Sequence, residues 1–294
     1  MIMPAIKKIK IHLKGRMHTN IQGHQSLLQF YYACKIYKDC QIEIDLTNLR
    51  WFDANLSGLL LAITEDLRES NKLDFHIDGK YWLSEYSKNF NVLLRNKFIP
   101  MLWGMGDGYD EIVDNHKSTI ELQKFHFAEI DEFSEYIERV FLEHRGCSIN
   151  EEAKEDIRTA YTELFTNYRE HAETEKPIYV CGQYFPTTRK LCFSITDVGI
   201  GFFVPIQKHT QTDENPVNNT QTAIEWALKY NNTTSISKTK GQGLHNIEKF
   251  CKENNGDFHI ISDNIYTYHQ RKKRNFKILD RQFKGVTIHL FFSN

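Results

Sequence analysis

The chain has 294 residues, long enough for one large domain or two ordinary ones, and 40% hydrophobic with 26% charged residues is globular composition. A formal net charge of −1 gives no general attraction to nucleic acid or to a membrane surface, and the longest uncharged apolar run, LSGLLLAI, is far shorter than the ~18–20 residues of a membrane span. Six scattered cysteines with no C-x-x-C pair argue against a zinc site and for reduced thiols, so a cytoplasmic setting is expected.

The opening stretch MIMPAIKKIKIHLKG is basic but lacks an apolar h-region, so no signal peptide is expected. Through about residue 110, strand-like and helix-like segments alternate. KKIKIHL and CQIEIDL have strand character, and LDFHID alternates with period two. Helices are expected at about residues 22–37, 55–70 and 81–97. The glycines of WGMGDG then break regular structure, and a domain boundary is placed just after them, giving units 1–110 and 117–294.

The second unit opens with the strand TIELQKFHF and a helix at about residues 131–144. SINEEAKED starts a long helix, with Ser148 or Asn150 as N-cap and acidic residues in its first turn. Its later part, YTELFTNYREHA, aligns Glu163, Asn167 and His171 in a polar column. Ile157, Tyr161, Leu164 and Tyr168 form an apolar column beside it, suited to a core. By itself this is the pattern of any amphipathic surface helix.

Two strands follow, PIYVCGQYF and KLCFSIT, and the second runs straight into DVGIGF, residues 197–202. Glycine there permits positive φ and close approach to the backbone, although such a turn alone is common. A polar segment with a short helix at about residues 222–229 leads to TKGQGLHNI, where Gly241 and Gly243 introduce a helix whose free N–H groups suit an anion. The chain closes with strands DFHIIS and GVTIHLFF. The basic run HQRKKRNFK reads as a solvated hairpin tip between them, with binding to nucleic acid or an acidic partner as the other reading.

In order, ELFTNYREHA, DVGIGF and KGQGLHNI resemble the N box and two glycine boxes of the GHKL superfamily, which includes DNA gyrase, histidine kinases and mismatch-repair proteins. KGVTIHLFF is similar to the family's last strand. The resemblance covers about residue 117 to the end and implies an ATP site. Asn167 would bind Mg²⁺ and Glu163 would orient or deprotonate the attacking group, two tasks that phosphoryl transfer requires. Asp197 would accept the adenine amino group, with Gly199 and Gly201 forming the turn beneath the base and Thr287 reaching adenine through water. The second box, Lys240, Gly241, Gly243 and Leu244, would hold phosphate, and residues 202–240 would be a mobile lid over ATP or ADP. The end of the helix, at His171, is similar to the anti-sigma-factor kinase branch.

IEIDLTNLRWFDANLSGLLLAI resembles a STAS domain through Asp45, Leu46, Thr47 and Asp53. The family's phosphorylatable serine is replaced by Ala54, and Ser57 lies one turn later. The expected fold is therefore α/β and two-domain: a STAS-like unit, then a GHKL (Bergerat) α/β sandwich whose mixed sheet is covered by helices on one face. The expected function is an ATP-binding signalling switch similar to anti-sigma-factor serine kinases. An ATP-gated conformational switch with slow hydrolysis is the alternative. A protein partner through the STAS-like unit is expected, membrane and nucleic acid are not, and homodimerisation stays open.

Overall fold

The computed structural model describes residues 7–80, 87–105, 114, 117–232, 234, 243–253, 256–270 and 273–293. In the first part, β1 (Lys8–His12), β3 (Gln41–Asp45) and β5 (Asp74–His76) form a parallel sheet in the order β1-β3-β5. A second, two-stranded parallel sheet joins β2 (Gly15–Met17) to β4 (Leu49–Phe52). Helix α1 (Ile21–Lys35) begins at Asn20, whose side chain accepts from the Gly23 amide at 3.0 Å. A 3₁₀ turn (Ala54–Leu56) leads into α2 (Ser57–Asn71), which Lys72 ends in the left-handed conformation. Two shorter helices follow, α3 (Ser87–Arg95) and α4 (Phe98–Trp103).

The second part is built on five strands: β6 (Thr119–Phe125), β7 (Ile178–Phe185), β8 (Lys190–Thr196), β9 (Asp257–Gln270) and β10 (Lys273–Ser293). Their order is β6-β7-β8-β10-β9, and every neighbouring pair is antiparallel. The expected mixed sheet is thus an antiparallel one, because each strand is followed in the sheet by one running back along it. One face carries α5 (Ile130–Tyr136), its π-helical continuation Ile137–Leu142, α6 (Glu151–His171) and α9 (Gly243–Glu253). Helix α6 is capped by Asn150, whose side chain accepts from the Ala153 amide at 2.8 Å. Its apolar column of Ile157, Tyr161, Leu164 and Tyr168 is buried in this core.

Among the described residues, the other face is covered by the first part of the chain. Successive side chains of a strand point to opposite faces, and in β7 Ile178 and Val180 join the helical core while Tyr179 and Cys181 join a core with Leu56, Leu59 and Leu60. In β6 the register shift between Ile120 and Gln123 turns Leu122 to this second core while Ile120 and Phe125 stay on the first. Polar contacts line the seam: Ala54 N–H to Gln183 Oε1 at 2.7 Å, Leu122 N–H to Asn96 O at 2.8 Å, and Tyr179 Oη–H to Glu65 at 2.7 Å. Lys176 pairs with Asp66 at 2.7 Å. Among the described residues no helix is long and apolar enough to cross a membrane.

Candidate functional site

Between α6, α9 and the sheet lies a cleft that is partly open to solvent. Glu163 and Asn167 of α6 line it, one helical turn apart and half-buried, with Leu164, Phe165 and Tyr168. Asp197, Gly201 and Leu244 line the same cleft. Five of the residues singled out in the sequence, from three separate motifs, therefore meet in one place.

Asp197 follows β8 and is a half-buried carboxyl of the site. Burial pushes its carboxyl up to about 6, against the lowering effect of the Gly199 and Val286 amides that bond it. Gly199 N–H reaches Oδ1 at 2.8 Å, and the Asp197 amide bonds Val286 O at 2.9 Å. Such a group is ionised at pH 7 and presents a strong acceptor to a ligand N–H in a pocket with an otherwise largely apolar lining.

The glycines next to it have separate reasons. Gly201 has φ +72°, and a side chain there would press on Ser262 Oγ, which accepts from the Phe202 amide at 3.2 Å. Gly199 has ordinary φ but lies against the backbone of Ala172, leaving no room for a Cβ. It shapes the site without lining it. Thr287 is also absent from the cleft wall: its hydroxyl bonds Thr196 Oγ at 3.1 Å, and the residue borders a small void on the opposite side of the sheet.

Helix α9 starts against α6, where a Cβ at Gly243 would come within 2.8 Å of the Glu163 side chain. The helix is anchored by Glu248, buried midway along it. Despite the opposing effect of burial, bonds from His269, Arg274 and Lys252 hold its carboxyl down to about 2. Arg274 Nη2 reaches it at 2.6 Å and His269 Nε2 at 2.8 Å. The basic run thus lies on the β9–β10 hairpin as expected, with part of it turned inward. Lys240, Gly241 and the His171 side chain lie outside the described residues.

The segment expected to be a mobile lid contains regular structure. Residues 203–210 and 220–227 are helices α7 (Phe203–Thr210) and α8 (Thr220–Ala227), the latter with a capping box at Asn219 and Thr222. Ile206, Val217 and Ala223 are buried together with Phe202, Phe203 and Trp226 packed on them. The polar composition of KHTQTDENPVNNTQT hid this small core, because its apolar members flank that stretch or are spaced widely within it. Phe202, Pro205, Ile206, Trp226, Asn232 and Thr234 line the cleft and were not singled out from sequence. Val286 and Ile288, beside the noted Thr287, also line it, as period two along β10 requires.

Ser57 is fully buried and receives a hydrogen bond from Asn96 Nδ2 at 2.5 Å, and Ala54 is equally buried at the seam. Neither position is open to modification in this structure.

No curated protein matches the sequence. Residues 128–256, from just before α5 to the approach to β9, match the family model of the histidine kinase-like ATPase domain. The match spans less than half of the chain but includes α6, Asp197, the glycine turn and α9. The chain is mixed α/β and contains a GHKL-like, histidine kinase-like ATPase domain, which supports nucleotide binding in a regulatory role.

Proposed function

We propose that the cleft binds ATP or ADP with Mg²⁺ and that the protein is a nucleotide-dependent signalling switch, similar to anti-sigma-factor serine kinases. The observation that carries this reading is the convergence of Glu163, Asn167 and Asp197 on one cleft. The Asp197 carboxylate would accept the adenine amino group. The Asn167 amide oxygen, a hard donor, would help hold Mg²⁺, whose chemistry is to neutralise phosphate charge. Among the described residues no group of three or more His, Cys, Asp or Glu could hold a metal. Glu163 would orient or deprotonate the attacking hydroxyl or water.

The first part of the chain, residues 1–110, would be a STAS-like module carrying a protein-docking surface, in a cytoplasmic protein. Its support is the parallel sheet, the Asp45 carboxylate accepting from the Thr47 amide at 2.7 Å, and Asp53 at the head of the turn before α2. The burial of Ser57 argues against phosphorylation of the chain's own STAS-like module, and the second reading is an ATP-gated conformational switch with slow hydrolysis and no protein substrate.

The test is incubation with γ-labelled ATP, with and without candidate partner proteins. Label on protein supports the kinase, and free phosphate alone supports the gated switch. Glu163→Gln is expected to lose roughly 10²–10⁴-fold in phosphoryl transfer while still binding nucleotide. Wild-type turnover in that variant would remove Glu163 from the chemistry.

A further inference from the structure

We propose that α1 positions the nucleotide pocket by gripping a bulged stretch of β10, residues 279–285, that ends on Asp197. This rests on the reading of the cleft as a nucleotide site.

From Ile278 to Val286 strand β10 advances eight residues while its partner β9 advances three, from Ile265 to Ser262. A bulge of this size re-aims the strand and leaves surplus backbone to be held elsewhere. Helix α1 holds it. Leu279 is buried with Leu28, Gln282 O accepts from Tyr32 Oη–H at 3.1 Å, and Phe283 meets Tyr31 edge-on with ring centroids 5.2 Å apart. Arg281 lies over the Tyr32 ring at 5.1 Å.

The far end of the bulge is part of the cleft. Gly285 has φ +94°, and a Cβ there would overlap the Asp197 carbonyl oxygen. The next residue, Val286, lines the cleft and accepts from the Asp197 amide. The β9 residues facing the bulge, Ser262 and Asp263, reach the other cleft walls. Ser262 Oγ accepts from the Phe202 amide, and Asp263 Oδ2 accepts from Thr220 Oγ at the start of α8 at 2.8 Å. One irregularity therefore joins α1, the turn after Asp197 and the helix bearing Trp226.

Behind the bulge, a small void, with room for about one water molecule, is bordered by His24, Leu28, Leu59, Phe283, Gly285 and Thr287. Coupling between α1 and the pocket must act in both directions, since linkage is reciprocal.

The experiment measures ATP and ADP affinity calorimetrically in the full chain. Phe283→Ala is expected to weaken binding about fivefold or more, the lower range of typical coupling, and Phe283→Leu to restore most of it. Tyr32→Phe, which removes one hydroxyl, is expected to shift affinity in the same direction by less, and it carries the test if Phe283→Ala does not fold. Gln183→Ala, elsewhere on the seam, is expected to lower stability and leave affinity unchanged. In the wild type, nucleotide should slow hydrogen exchange in residues 21–35, and in Phe283→Ala it should not. Unchanged affinity in folded Phe283→Ala and in Tyr32→Phe, or an equal loss in Gln183→Ala, would overturn the proposal. Absence of nucleotide binding in the wild type would instead overturn the reading of the cleft, and this inference with it.

Discussion

The Nε2 atoms of His24 and His289 lie 3.0 Å apart across the seam, one on α1 and the other on β10, and their neighbours dictate where the protons are. The Asn20 carbonyl can only accept, so His24 Nδ1 donates to it at 3.0 Å and leaves Nε2 bare. His289 Nε2 must then donate, and its Nδ1 accepts from the Ser194 hydroxyl at 2.6 Å. The assignment closes with both rings neutral. One more proton on His24 would set two donors against each other, and one on His289 would require the Ser194 hydroxyl to turn from donor to acceptor.

Acid should therefore loosen the seam. Burial lowers His24 to about 4 and, with the repulsion of its neighbours His24 and His259, pushes His289 well below its ordinary value of 6.5. The unfolded rings take up protons near 6.5 and the folded ones do not, so their contribution is complete above that pH and is lost as pH falls towards 4. Asp197 works in the opposite sense between 3.8 and about 6, so a difference measurement is needed. Urea midpoints between pH 7.5 and 4.5 should fall more steeply in the wild type than in the double variant His24→Phe, His289→Phe. Parallel curves would contradict the assignment.

Nucleotide affinity should carry its own pH dependence through Asp197. With its carboxyl at about 6 in the free protein, a ligand amine that needs the carboxylate displaces a proton below that pH. Affinity is expected to rise from pH 5 to 7 and then level, with a binding enthalpy that depends on the buffer at pH 5.5. Asp197→Asn should flatten the profile and weaken binding by about 1–3 kcal/mol. A persistent slope in that variant would assign the proton to another group.

Two glycines with positive φ allow strain and crowding to be separated. Gly104 has φ +67° with nothing near its missing Cβ, whereas Gly285 has φ +94° and faces the Asp197 carbonyl. Gly104→Ala should destabilise by roughly 1 kcal/mol, from backbone strain alone. Gly285→Ala should cost clearly more in urea unfolding, since something must also shift. Equal losses at the two positions would mean that the turn yields freely.

The residues that could be read from sequence were those whose chemistry and periodicity agree. Glu163 and Asn167 stand at helical spacing on an amphipathic helix, and Asp197 follows a strand directly, so local pattern was enough to bring them forward. Leu244 came with its glycine box. What local pattern could not supply was pairing. The antiparallel order of the five strands depends on contacts between segments far apart in sequence, and so does the pairing of the Thr287 hydroxyl with Thr196. The short strands β2 and β4 and the helix α7 were missed because each is held by tertiary contacts more than by its own pattern: Met17 and Phe52 are buried inward, and Ile206 joins residues from beyond α7. Trp226, a wall of the cleft, belongs to a stretch whose polarity suggested only solvent.

Strand β7 shows what the arrangement implies for the chain as a whole. Six consecutive residues, Ile178 to Gln183, are buried, which an antiparallel strand with one wet face would not tolerate. Half of that burial is supplied from residues before 105, so the boundary between the two parts divides the sequence and not the hydrophobic interior. A gene cut there would yield a sheet with Leu122, Tyr179 and Cys181 bare on one side and an α2 whose apolar flank has lost its covering strands. Each part is, in effect, the other's solvent. Substitutions at Leu59 or Cys181 should therefore be accepted only in concert, as in the middle of a single protein.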